Sequence, residues 1–244
     1  LVESLRRHKP DIPEAWIQYR DPEALGRHLA SFSHIQSEVI GHSREGAPLY
    51  GYHMGRGPRL VTITAGCHAD EPVGPMTAEL LPELIQRRSR ELLDEFTFRV
   101  VPQMNPDGAA RNRAWFAPEL DFGTYLKHSV RELPGEDIEF GFSEGSEARP
   151  ECRAAIDWLW KHGPVSAHFS LHGMAWAEGA WFLVNRNWTH DGPEDALFNA
   201  LSALCAAWDV PQMEIDRNGE KGFSRVAKGI STSPTSVAMK EHFL

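Results

Sequence analysis

The stretch LVTITAGCHADEPVG, residues 60 to 74, marks where a strand of this protein ends and its chemistry begins. An apolar, β-branched run closes on Ala65-Gly66, and His68 and Glu71 follow, an imidazole and a carboxylate with two residues between them. Gly66 lets the chain turn sharply off the strand, and Pro72 and Pro75 suit the first turn of a helix. Both polar side chains are therefore expected at a strand exit, where open α/β sheets bind their ligands.

Upstream, residues 21 to 34 read as a short helix capped by Asp21. Residues 37–43 and 48–55 read as a hairpin turning on Arg44-Glu45-Gly46, and 59–65 as a buried strand. Downstream, 75–93 carries helical spacing with a kink or break at Pro82, and 97–104 is the next strand, running into the turn Asn105-Pro106-Asp107-Gly108. The span 109–148 has no interpretable pattern, and a connection that long is usually functional or mobile. A helix over 148–163 leads to a strand over 166–173 with His172 at its end. Then come a strand at 181–186, a helix over 191–208 capped by Asp191, a strand at 211–216 and a Gly- and Ser-rich remainder. Strands alternating with helices predict an α/β fold with a mixed, mostly parallel sheet covered on both faces.

At 244 residues, 41% of them apolar and 24% charged, the chain suffices for one large domain over 1–244. Its 34 acids against 25 Lys and Arg give a net charge of −9 without a block of one sign, which leaves a nucleic-acid surface nothing to stand on. No apolar run approaches the roughly 18 residues of a membrane span, and the N-terminus is no signal peptide, although Leu1 in place of Met is compatible with processing. Three widely spaced cysteines argue against a disulfide framework and fit a cytoplasmic home.

Zinc favours imidazole nitrogen and carboxylate oxygen, and a hydrolytic site needs three protein ligands with a further position open. His68, Glu71 and His172 supply that set, and both pieces follow strands whose exits share one edge of a parallel sheet. Cys67 reads as a buried small residue, since no second cysteine stands at ligand spacing.

The order of these features resembles the zinc carboxypeptidases, the carboxypeptidase A-like metallopeptidases, from about residue 21 onward. Val39-Ile40-Gly41-His42-Ser43 with Glu45-Gly46 and Pro48 resembles the family's opening segment, and His68-Ala69-Asp70-Glu71 its ligand pair. Asn105-Pro106-Asp107-Gly108 is similar to its next turn, Ser146-Glu147 with Pro150-Glu151 to the segment before a core helix, and Ser170-Leu171-His172 to its third ligand. The resemblance implies a three-layer α/β/α domain with a sheet of about eight strands. It also implies one Zn2+ per chain and hydrolysis of an amide bond next to a terminal carboxylate, in a peptide or an N-acyl amino acid.

A cation must stabilise the oxyanion or grip the substrate carboxylate, and Arg113 is the candidate, with Asn112 beside it and Arg111 close behind. The run Arg111-Asn112-Arg113-Ala114-Trp115 could match either of two family motifs, so the two roles stay undivided; if it is the Asn-Arg motif, Ala110 replaces the aspartate that orients a ligand histidine. Asn185-Arg186-Asn187-Trp188 repeats the letters but comes after His172. The family's general base, a glutamate on a late strand, has no clear match. Residues 1–244 are expected to stop short of that strand and its helix, with Glu214, Glu220 and Glu241 as fallback candidates. An N-acyl amino-acid deacylase of the same fold, or a zinc-pocket binding protein without the base, are the alternatives.

Overall fold

The computed structural model describes residues 12, 18–116, 121–133, 136–142, 148–161, 163–174, 177–186, 193–214 and 216–234. They divide into two compact units, one ending at Gly173 and the other beginning at Met174.

The first unit is built on a five-stranded sheet in the order β1-β2-β4-β3-β5. The strands are β1 (Gln36–His42), β2 (Pro48–Gly55), β3 (Arg59–Ala65), β4 (Phe96–Val101) and β5 (Val165–Leu171). The hairpin β1–β2 and the pair β2–β4 are antiparallel, whereas β3 runs parallel to both β4 and β5, so this is a mixed sheet. Helix α1 (Pro22–Ala30) starts as expected, Asp21 accepting a hydrogen bond from the Ala24 N–H at 2.9 Å.

Helix α2 (Val73–Arg88) is unbroken at Pro82, with a separate turn α3 (Leu92–Glu95) after it. Proline has no N–H to offer the carbonyl four residues back, which is that of Ala78. The buried Tyr52 hydroxyl donates to that oxygen at 2.6 Å, so the orphaned acceptor is satisfied from the sheet and the helix continues.

The span 109–148 holds more regular structure than its composition suggests. Helix α4 (Pro106–Asn112) grows directly out of the predicted turn, with Asn105 as its cap, and α5 (Phe122–His128) and a 3-10 turn at Ile138–Gly141 follow. Helix α6 (Pro150–Leu159) packs its buried Trp158 against the sheet, and the Trp158 indole donates to Glu38 of β1 at 2.8 Å. Arg99, buried in β4, donates to the Trp158 carbonyl and stacks 4.3 Å from the centre of its ring.

The second unit contains β6 (Phe182–Val184), α7 (Pro193–Ala207), β7 (Ser224–Ala227) and β8 (Ile230–Thr232), with its strands in a separate sheet of order β6-β8-β7. Val184, Phe198 and Ile230 form its apolar centre. Among the described residues of the strand expected at 211–216, pairing is limited to one bridge, Ala180 to Gln212, and Pro211 has no N–H to extend it. Instead the Gly- and Ser-rich remainder makes the β7–β8 pair, which turns at Gly229 with φ of +67°. Ser146, Glu147, Asn187, Trp188, Asp191 and Glu241 lie outside the described residues.

Among the described residues, no helix is long and apolar enough to cross a membrane. The eight described strands form two sheets, of five and three strands.

Candidate metal centre

The register of β3 on β5 explains why two distant segments meet. Thr64 pairs with Ser170 and Ala65 with Leu171, so the two strands end level with each other. Gly66 then turns the chain with φ of +71°, a conformation L side chains avoid, and a Cβ there would lie 2.2 Å from the Gln103 side-chain oxygen. The Glu71 N–H closes a turn on the His68 carbonyl at 3.3 Å, and α2 begins after Pro72. Gly74, in its first turn, lies so close to β5 that a Cβ would stand 2.4 Å from the Leu171 carbonyl oxygen.

His68, Glu71 and His172 converge at this edge. His68 Nδ1 is 2.8 Å from Glu71 Oε1, His172 Nδ1 is 2.9 Å from Glu71 Oε2, and the two Nδ1 atoms are 3.2 Å apart. Two nitrogens each about 2.0–2.1 Å from one tetrahedral zinc are separated by about 3.3 Å, so the donor set fits the ion. The side chains of His68 and Glu71 are 13% and 10% exposed and that of His172 30%, so the cluster is most open on the His172 side.

Two charged residues that the sequence did not single out, Arg131 and Glu139, complete the surroundings. Arg131 Nη1 lies 3.0 Å from both Asp70 Oδ1 and Glu71 Oε1. Glu139, on the 3-10 turn, places Oε2 at 3.2 Å from His68 Nε2 and Oε1 at 3.5 Å from His172 Nε2. The His172 Nε2 also meets Ser170 Oγ at 2.9 Å, and the Gly173 N–H donates to Glu71 at 3.1 Å. The only sequence hint of Glu139 was the acid-rich run Glu132, Glu136, Asp137 and Glu139 inside the patternless span. A cavity of about 250 Å3 opens beside Glu139, with Phe142, Leu159 and Trp160 among its walls.

Burial pushes the His68 imidazole down, but hydrogen bonds and charge from Glu139 and Glu71 outweigh it and raise His68 to about 9. Burial likewise pushes Glu71 up, yet the two imidazoles hold its carboxyl well below the usual range. An ion entering between these nitrogens would compete with the proton that His68 holds. Burial drives the neighbouring Cys67 thiol far above its ordinary range, so that sulfur stays protonated and packs as an apolar group.

The remaining sequence candidates are engaged elsewhere. Arg113 faces Asp21 at 3.4 Å, and Arg111 pairs with Glu45 and, at 3.8 Å, with Glu132. Asn112 is fully buried and spends its amide on structure, donating to the Gly108 and Val130 carbonyls and accepting from the Val130 N–H and the Trp115 indole. Glu214 pairs with Lys228 and Glu220 with Arg217.

The quoted motifs interlock into a second polar cluster. Ser43 Oγ and the Glu45 N–H both donate to Asp107, the Arg44 N–H donates to Glu151 at 3.0 Å, and Arg149 lies 3.3 Å from the same carboxylate.

An uncharacterised protein of Zymomonas mobilis is 25% identical over 189 residues, which cover 64% of this chain and 50% of that protein. Carboxypeptidase D of Mus musculus is 25% identical over 170 residues, 64% of this chain and 12% of its own length. The chain thus spans half of one relative and a small part of the other. Among solved structures, a metallo-carboxypeptidase from Pseudomonas aeruginosa in complex with (2-guanidinoethylmercapto)succinic acid superposes with a TM-score of 0.56 at 20% identity, covering 90% of this chain and 54% of that one. Carboxypeptidase A from Helicoverpa armigera gives 0.52 at 15% identity, covering 78% of this chain and 54% of its own. Those two likenesses are of fold. Residues 24–178, well over half of the chain and containing all three converging ligand candidates, match the zinc carboxypeptidase family, and the chain belongs to it.

Proposed function

We propose that this protein hydrolyses an amide bond next to a terminal carboxylate, with His68, Glu71 and His172 holding one zinc ion. The observation that carries the reading is the pair of Nδ1 atoms, 3.2 Å apart, facing the two oxygens of one carboxylate. The ion, when bound, supplies Lewis acidity for a carbonyl and an acidified water.

The chain's own residues orient and balance that chemistry. Arg131 is the guanidinium that touches Glu71, and we assign it the charge that builds on the substrate oxygen. Arg113 and Arg111 would take that part, or grip the substrate carboxylate, by leaving Asp21 and Glu45. Asn112 holds the Val130 backbone, one residue from Arg131, in place. The acceptor for the water's proton is assigned to a late glutamate, with Glu241, outside the described residues, as the candidate. We place the centre in a three-layer domain with about eight strands, the architecture that the family resemblance implies. The free, buried cysteines Cys67, Cys152 and Cys205 support a reducing compartment such as the cytoplasm.

Purified without chelator, the protein should carry about one zinc per chain by mass spectrometry. The His68→Ala and His172→Ala variants should lose zinc and hydrolysis of blocked dipeptides together. Full activity in either variant sinks the reading, and cleavage of N-acyl amino acids without cleavage of peptides moves it to the deacylase alternative.

A further inference from the structure

An imidazole that gives Nδ1 to a metal must carry its proton on Nε2, and that N–H needs an acceptor. For His68 water is a poor source of one, because the side chain is 13% exposed. Glu139 faces that atom at 3.2 Å, from a turn some 70 residues away in sequence. Its other oxygen lies 3.5 Å from Nε2 of His172, whose closer partner is Ser170 Oγ at 2.9 Å. Each ring is thus bracketed, with Glu71 at Nδ1 and Glu139 at Nε2.

We propose that Glu139 is a positioning residue of the metal centre: its carboxylate spans the outer nitrogens of both imidazoles and turns both Nδ1 atoms to the ion. The assignment rests on the metal centre proposed above. A direct ligand role fits the distances less well, because Glu139 meets the ring nitrogens that point away from Glu71. A chance surface acid would have no reason to divide its two oxygens between two rings that come from different strand exits. Since Ser170 already serves His172, Glu139 acts mainly on His68.

The test measures zinc affinity of the full chain by competition with a fluorescent chelator, for the wild type, Glu139→Ala, Glu139→Gln and His68→Ala. In parallel, the imidazole N–H signals of the zinc-loaded proteins are followed by nitrogen-15 NMR. Glu139→Ala should keep one zinc per chain but bind it about 10- to 100-fold more weakly, with the His68 Nε2–H signal broadened by exchange with water. Glu139→Gln, whose amide oxygen still accepts a hydrogen bond, should recover part of both. Glu139 is 40% exposed, so both variants should fold, which melting of the metal-free forms checks.

Wild-type affinity in Glu139→Ala overturns the proposal. Loss of zinc as complete as in His68→Ala also overturns it, since Glu139 would then be a ligand. More than one zinc per wild-type chain does the same, because the Nε2 side would itself be binding metal. A wild type that binds no zinc removes the metal centre altogether, an outcome distinct from the other three.

Discussion

Two polar clusters of the first unit, both assembled from short motifs, are built on opposite principles. Around Asp107 and Glu151 the acceptors face fixed donors: the Ser43 hydroxyl, the Glu45 and Arg44 backbone N–H groups and the buried Arg149. Around Glu71 the groups instead crowd toward one point, with two ring nitrogens 3.2 Å apart. The first cluster is complete as a fold and ties the β1–β2 hairpin, α4 and α6 together. The second brings ligand-type atoms from two strand exits within reach of one ion. Motif residues whose acceptors each meet a fixed backbone or buried donor maintain structure, while those whose ligand-type atoms crowd within reach of one ion are the place to look for function.

Three substitutions test that contrast in the metal-free protein by urea unfolding, and they are ordered by expected cost. Glu151→Ala should be the most damaging, about 3 kcal/mol, because Glu151 is 0% exposed and its loss takes the nearest carboxylate from the Arg149 guanidinium, itself 4% exposed, leaving it the Glu136 carbonyl and Glu132 at 3.7 Å. Asp107→Ala should cost about 1–3 kcal/mol, since two donors lose their acceptor, and the folded fraction should bind zinc as before. His172→Ala should cost under about 1 kcal/mol while removing zinc binding. A cost of several kcal/mol for His172→Ala, or a loss of zinc affinity in folded Asp107→Ala, would erase the distinction between the two clusters.

The same contrast explains what was legible in the chain. His68, Glu71 and His172 could be found because each follows an apolar strand, and strand exits in a parallel pair lie level; the pairing of Ala65 with Leu171 is the physical content of that expectation. Arg131 and Glu139 could not, because they sit on irregular backbone whose path depends on contacts such as the Asn112 clamp on Val130. No periodicity marks a side chain that is positioned by the far side of the fold. Arg113 was attractive by motif, but nothing in its neighbourhood announced that Asp21 lies 3.4 Å away. In the second unit, Pro211 has no N–H to extend a strand that composition favoured, and Gly229 permitted one that composition hid.

The close approach of Gly74 to Leu171 has a consequence for how this centre could change over time. The Leu171 carbonyl directly precedes His172, and Gly74 stands three residues after Glu71, so the gap between them acts as a gauge for the spacing of the ligands. Every other amino acid brings a Cβ into a space of 2.4 Å that ends on backbone rather than on a side chain able to swing aside. Even a single added methyl at this position, without touching Glu71 or His172, would widen the distance between them. The spacing of Glu71 from His172 is thus held by an absent atom, and drift at residue 74 would alter it while leaving both residues in place.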